Sequence, residues 1–167
     1  AGGVIRVRPG LSATLVNPTI SAGSTFVVES NAASGQTQLS LNGTLAGTGT
    51  LELRSNNPGG ASPLLNIASP VTLNSGATVW GSFNTTGNGA RIDAPANVLT
   101  IASGATVRGV VYFNNARVIN NGTINADNHV VPNPLGNADM YIDANNSSGQ
   151  PHFVNNGTIS ATNNARI

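Results

Sequence analysis

The sequence predicts an all-β fold in which short parallel strands stack as the coils of a β-solenoid, with irregular loop insertions and almost no helix. Two local observations support this prediction. Apolar and polar residues alternate with period two in "VIRVR" (4–8) and "TLELRS" (50–55). Polar corners containing Gly or Asn separate such segments, and β-branched residues, Gly and Asn replace the strong helix formers. The third observation is that similar segments recur along the chain.

The length and charge of the chain limit what it can be. We expect a single domain over residues 1–167, because this length supports one sizeable core and gives no reason for two. Only 8% of residues are charged, and the seven basic residues are all arginine. A net charge of +1 provides no electrostatic footprint for nucleic acid. No apolar run is long enough to cross a bilayer, so we expect no membrane insertion.

The clearest repeat is "VINNGTINA" (118–126), which returns almost unchanged as "FVNNGTISA" (153–161). Weaker copies surround other short turns, at irregular intervals that suit coils with inserted loops. Gly and Asn tolerate positive φ, which corners of a coil require. The predicted corner turns are Gly43, Gly76, Gly104, Asn121, Gly122, Asn156 and Gly157.

Parallel stacking is favoured by two segments that match without a gap, "VTLNSGATVWGSF" (71–83) and "LTIASGATVRGVV" (99–111). Stacked coils place like residues above one another at about 4.8 Å. A cation-π contact can then form between an arginine and the single tryptophan, and both are candidate surface contacts. The predicted contacts are Val79 on Val107, Leu73 on Ile101, Thr78 on Thr106 and Trp80 on Arg108.

The same corner residues also permit a different fold. Asn-Gly is the preferred turn of two-residue β-hairpins, which would give a sandwich or barrel of antiparallel strands. The recurrence of residue types one coil later favours the solenoid.

Groups that could perform catalysis are few, and we expect no enzyme, no cofactor and no metal site. Glu52 alternates with Arg54, which predicts a solvated cross-strand pair. Four groups precede His152 in a long loop excursion at about 127–152, where "DMYID" (139–143) can form a strand of its own. A Ca²⁺ or transition-metal site there is the alternative to a plain loop, but no known ligand spacing is met. These four are Asp127, His129, Asp139 and Asp143.

Threonines follow several corner glycines and can form an outward column. A flat threonine face would indicate binding of ice or crystalline polysaccharide, although threonine is also a favoured exposed strand residue. The members of this column are Thr44, Thr78, Thr106, Thr123 and Thr158.

The Asn-Asn-Gly-Thr units resemble those of secreted bacterial right-handed parallel β-helix proteins, namely autotransporter passengers and filamentous-haemagglutinin-type adhesins. The resemblance touches most of the chain from Leu39 onward. It implies a right-handed coil, an extracellular or cell-surface location and a rod used in adhesion or surface assembly. It supplies no shared catalytic residues.

The expected function is that of a non-enzymatic extracellular structural protein. Both ends of the chain read as strands, so one copy can add to the next, head to tail, in a surface filament or sheath, or the chain can be part of an adhesin stalk. The alternative is a carbohydrate-binding or carbohydrate-active β-helix, including a phage tailspike-like one, with surface glycans as partners. Its aromatic candidates are Trp80, Tyr112, Phe113 and Tyr141. A pilin-like sandwich with donated strands is a third possibility.

Overall fold

The computed structural model describes residues 2–31, 35–56, 61–83, 89–127, 139–143 and 152–167. Within these ranges the chain is all-β, and no helix of a length and hydropathy that would cross a membrane is found. The strands are β1 Val4–Val7, β2 Ser12–Val16, β3 Thr25–Ser30, β4 Gln38–Leu45, β5 Thr50–Ser55, β6 Leu64–Leu73, β7 Thr78–Phe83, β8 Ala90–Asp93, β9 Val98–Ile101, β10 Thr106–Gly109, β11 Val111–Asn114, β12 Arg117–Asn120, β13 Thr123–Asp127, β14 Tyr141–Ile142, β15 Phe153–Asn155 and β16 Thr158–Thr162.

Every strand pairing among the described residues is parallel. The first sheet has the order β1-β3-β5-β7-β10-β13-β16. The second sheet divides at the long strand β6, whose first part pairs with β8 and whose last part pairs with β9. We call β8, β11 and β14 the β8 branch, and β9, β12 and β15 the β9 branch. The antiparallel hairpins of the sandwich alternative are therefore wrong for this part of the chain.

Residues that share a position in successive strands of the first sheet are separated by uneven lengths of chain. Thr25, Thr50, Thr78, Thr106 and Thr123 lie side by side in register, so the steps are 25, 28, 28 and 17 residues by subtraction. The step of 28 from Thr78 to Thr106 equals the step from Leu73 to Ile101, which explains why segments 71–83 and 99–111 match without a gap. Insertions of different length elsewhere hide the repeat in the sequence.

The core is built from columns of apolar side chains that point between the sheets. Val79 lies on Val107 and Leu73 on Ile101, and both predicted contacts are confirmed. All four side chains are fully buried. Burying each such side chain contributes about 1.5–3 kcal/mol, so the stacked columns are a main source of stability.

Two of the predicted corner glycines adopt the left-handed conformation between strands. Gly76 has φ 86° and Gly104 has φ 80°, and each occupies a tight turn before a first-sheet strand. Gly43 also has a positive φ of 75°, but it lies inside β4, opposite Val71, where the register shifts. The prediction that Gly43 forms a corner between strands was wrong, because β4 continues to Leu45. The irregularity lies on β6, which has three residues between Ile67 and Val71 where β4 has one.

The two Asn-Asn-Gly corners need glycine for a different reason. Gly122 and Gly157 are not in the left-handed region, in contrast to the expectation for these corners. A Cβ on Gly122 would lie 2.5 Å from the carbonyl oxygens of both Ala102 and Ala105. A Cβ on Gly157 would overlap the carbonyl oxygen of Gly122. Close stacking of corner on corner, not backbone conformation, therefore requires glycine here.

Asparagines join these corners in a hydrogen-bonded ladder. The Nδ2 of Asn120 donates to Oδ1 of Asn155 at 2.7 Å, and Asn156 Nδ2 donates to Asn121 Oδ1 at 3.0 Å. Asn120 Oδ1 also accepts from the backbone N–H of Gly122 at 3.1 Å. The repeated motif therefore supplies both a close approach and the polar groups that satisfy it.

The predicted long excursion is described only in part. Residues 139–143 contain β14, which confirms a short strand in "DMYID". His129 and most of the excursion lie outside the described residues.

Candidate binding surfaces on the outer sheet faces

A row of threonines runs across the outer face of the first sheet. Thr78, Thr106, Thr123 and Thr158 are in register as predicted, and Thr25 and Thr50 extend the row. Thr44 instead belongs to a short row in the second sheet, beside Thr72. The next outward row of the first sheet is chemically mixed, so a flat surface of two threonine rows is not formed. Its members are Arg6, Val27, Glu52, Trp80, Arg108, Asn125 and Ser160.

Trp80 and Arg108 contact each other in this mixed row, as predicted. The guanidinium carbon of Arg108 lies 5.1 Å from the centroid of the indole ring. Arg108 Nη2 also lies 3.2 Å from a carboxylate oxygen of Asp127. One face of the indole is thus covered by Arg108, which the carboxylate of Asp127 holds in place, so Trp80 is packed into this outward row.

Glu52 is buried, contrary to the prediction of a solvated pair. Its residue exposure is 3%, and both carboxylate oxygens accept hydrogen bonds from Arg54, at 2.8 and 2.7 Å. The pair is formed along β5 and not across strands, and Ser82 Oγ donates to the same carboxylate at 2.5 Å. Burial raises the pKa of Glu52, but the hydrogen bonds and charge of Arg54 and the hydroxyl of Ser82 outweigh it and lower the pKa overall.

A second surface lies on the β8 branch, where Arg91, Tyr112 and Tyr141 are adjacent in register. With Ser62 and Gly89 they line a groove of about 450 Å³. The two tyrosine rings meet edge to face, with centroids 5.9 Å apart and an interplanar angle of 81°. Phe113 points into the core, so only one of the two neighbouring aromatic residues faces outward, as the alternation predicts. We call this surface the tyrosine groove.

Polar side chains hold the tyrosine groove in position. Arg91 donates to both oxygens of Asp93 at 2.6 and 2.7 Å, and Asn114 Nδ2 donates to Asp93 at 3.2 Å. The Tyr112 hydroxyl donates to Asp143 at 3.2 Å. Desolvation, followed by the charge of Asp143, raises the pKa of Tyr112, so its hydroxyl remains a donor at neutral pH.

The neighbouring end of β14 is fixed by another pair. Tyr141 donates to Asp139 at 3.3 Å, and Arg166 donates to both oxygens of Asp139 at 2.9 and 3.0 Å. Composition had pointed to the two tyrosines as sugar-contact candidates but missed Arg91, Asp93 and Asn114. The sequence pattern that could have identified them is the alternation in "ARID" (90–93), which places Arg91 and Asp93 on the same side of a strand.

Two acidic groups of the excursion, Asp127 and Asp139, are engaged by basic or amide side chains. Asp127 pairs with Arg108 and accepts from Asn163 Nδ2 at 2.7 Å, and Asp139 pairs with Arg166. In the described ranges, no group of three or more His, Cys, Asp or Glu residues is placed to hold a metal ion.

No protein-family model matches the chain, and no curated protein or solved structure was found to be similar to it.

Proposed function

We propose that this chain is a right-handed parallel β-solenoid and a non-enzymatic structural module of an extracellular filament, sheath or adhesin stalk. The observation that carries the proposal is the unbroken register of seven parallel strands in the first sheet. A single row of equivalent positions runs from Val4 to Thr158 through six pairings. A rod requires such a continuous row of equivalent positions, whereas a catalytic cleft does not require one.

The order of strands along the chain supports a coil. After β7 in the first sheet come β8 and β9 in the two branches, then β10 beside β7, β11 beside β8 and β12 beside β9. The chain thus returns to each line of strands one position further on. Crossovers between parallel strands of one sheet are right-handed in nearly all proteins, and this preference is the basis for the proposed handedness.

The side chains suit a durable rod. The interior is apolar, while the corners are joined by amide ladders, and the described residues include five ion pairs along the outer faces. The chain has no cysteine, so its stability does not depend on the redox state of its surroundings. The low charge and the small number of reactive side chains are compatible with an extracellular location.

An exposed apolar end supports addition of one copy to another. Val4 and Ile5 of β1 are 60% and 65% exposed, and a cavity of about 370 Å³ opens there between Ile5, Leu15, Ile20 and Phe26. Within the described residues, β1 and β16 each pair on one side only. Continuing the register past β16 would bring Ile5 of a second copy onto Ile159, which is the like-on-like stacking of the core. Such a contact is heterologous and produces a filament when it does not close.

Electron microscopy of the purified chain tests the proposal. We expect rods that lengthen with protein concentration, and aligned rods should diffract at about 4.8 Å along their axis. Ile5→Lys should disperse the rods, because it puts a charge into the apolar contact. Thr100→Lys should not, because Thr100 alternates with the buried Leu99 and Ile101 and faces away from the core. If the wild-type chain stays monomeric at high concentration, the filament is rejected and only the stalk remains. A globular particle without axial spacing would reject both.

A further inference from the structure

We propose that the tyrosine groove on the β8 branch binds a neutral glycan chain. This is a binding activity in addition to the structural role, and it does not depend on the formation of filaments. It would give an otherwise inert rod a means of attachment to a carbohydrate surface.

The aromatic pair is the first reason. Tyr141 is 56% exposed, although a large aromatic side chain is usually buried. The rings of Tyr112 and Tyr141 meet at nearly a right angle, so they form a corner and not a flat stack. The C–H face of a sugar ring is apolar and packs on an aromatic ring, while its hydroxyls reach polar groups at the margin. A corner formed by two tyrosine rings provides such a binding surface for a sugar ring.

The polar margin is the second reason. The Arg91 guanidinium carries five N–H donors in a fixed plane, and its bonds to Asp93 use Nε and one Nη. Asn114 is tied to the same carboxylate, and the Tyr112 hydroxyl is tied to Asp143. These bonds fix the orientation of the donors and acceptors before a ligand arrives, which lowers the entropic cost of binding.

Successive positions along the groove also suit a chain of sugar units. Arg91, Tyr112 and Tyr141 lie on three adjacent strands, about 4.8 Å apart. A linear glycan laid across the strands would therefore meet a polar position and then two aromatic ones in turn.

The charge of the groove selects a neutral ligand. Its charged groups are Arg91, Asp93, Asp139, Asp143 and Arg166. Three carboxylates against two guanidinium groups give a net charge of −1 at neutral pH. Polyuronates and sulfated glycans would be repelled by this surface, and hexoses or N-acetylhexosamines would not.

Calorimetric titration of the full chain tests this inference. The probes are hexasaccharides of glucose, mannose, galactose and N-acetylglucosamine, with hexagalacturonate as the charged counterpart. We expect at least one neutral hexasaccharide to bind more tightly than hexagalacturonate. Tyr141→Ala should weaken that binding about tenfold, because it removes one ring of the corner.

Two matched variants separate ring stacking from general effects. Tyr141→Phe retains the ring and should keep most of the affinity, while Trp80→Ala removes an aromatic residue from the first sheet and should change nothing. Circular dichroism of each variant checks that the sheets are intact. The inference is overturned if no neutral hexasaccharide binds at millimolar concentration, if hexagalacturonate binds best, or if Tyr141→Ala leaves the affinity unchanged. Loss of binding with Trp80→Ala would also overturn the inference, because it would place the glycan site on the first sheet. None of these outcomes bears on rod formation.

Discussion

Asn120 and Asn155 occupy the same position in two successive Asn-Asn-Gly-Thr corners, and the amide of the first donates to the amide oxygen of the second at 2.7 Å. Asn120 is fully buried, whereas Asn155 is exposed. The buried amide also donates to the carbonyl of Thr158 at 3.2 Å and accepts from the N–H of Gly122. One side chain thus satisfies backbone groups of two corners at once.

Removing this amide should destabilise the fold. We expect Asn120→Ala to lower the free energy of unfolding by about 1–3 kcal/mol, because buried backbone partners lose their hydrogen bonds. Urea denaturation followed by circular dichroism measures the change. Asn156→Ala is the control, since this asparagine makes its ladder bond at the exposed surface and should cost under about 1 kcal/mol. Equal losses in both variants would show that the buried amide has no special role.

The Asn-Asn-Gly corners make a second prediction about glycine. Gly122→Ala should destabilise the protein by about 1–3 kcal/mol, because its methyl group would press on two carbonyl oxygens. At Gly3 no described atom lies within 4 Å of an added Cβ, so Gly3→Ala should be close to neutral. Thermal melting of the two variants compares them directly. An unchanged melting temperature in Gly122→Ala would mean that the corners are not closely stacked.

How far the sequence predicts this fold depends on the number of residues between strands that pair. The step from Thr78 to Thr106 equals the step from Leu73 to Ile101, so the gapless match between segments 71–83 and 99–111 predicted the correct pairing, down to Trp80 on Arg108. Around Gly43 the match failed. There the extra residues of β6 between Ile67 and Val71 place Gly43 against Val71, and Gly76 comes to lie over Thr48. An alignment of turn glycines cannot detect a bulge, because the bulge has the same residue preference as a turn.

The sequence did not predict that Arg91, Tyr112 and Tyr141 form one groove, because the spacing between them is unequal. Arg91 and Tyr112 are 21 residues apart and Tyr112 and Tyr141 are 29 apart by subtraction, yet all three are neighbours in register. Unequal loops remove the periodicity that would have linked them. The burial of Glu52 was missed because alternation assigns a residue to a side of the sheet but does not show whether Arg54 and Ser82 cover it there.

The covered carboxylate of Glu52 predicts a pH dependence. Its pKa in the folded protein is below the ordinary value of 4.5, so its contribution to stability is fully present above about pH 4.5 and is lost as the pH falls through the folded pKa. Glu52→Gln should lower the free energy of unfolding by about 3 kcal/mol at neutral pH, since Arg54 loses its charged partner. The difference from wild type should shrink below pH 4.5.

Denaturation of both proteins over a pH series measures this difference. Glu29→Gln is the matched control, because Arg6, the basic partner of Glu29, is 49% exposed and the pair should contribute at most about 1 kcal/mol. A difference between wild type and Glu52→Gln that grows as the pH falls would contradict the predicted sign.

The contact between Arg108 and Trp80 can be followed by fluorescence, because the chain has a single tryptophan. Arg108→Ala removes the guanidinium from the indole face and leaves Asp127 without its ion pair. We expect a loss of about 1–2 kcal/mol in the free energy of unfolding. The emission of Trp80 should also move to longer wavelength, since the uncovered ring meets water. Arg8→Ala, at an exposed position next to β1, should alter neither quantity. Emission that stays the same in Arg108→Ala would mean that the two side chains are in contact only part of the time in solution, and the contact would then contribute little to the rigidity of the first sheet.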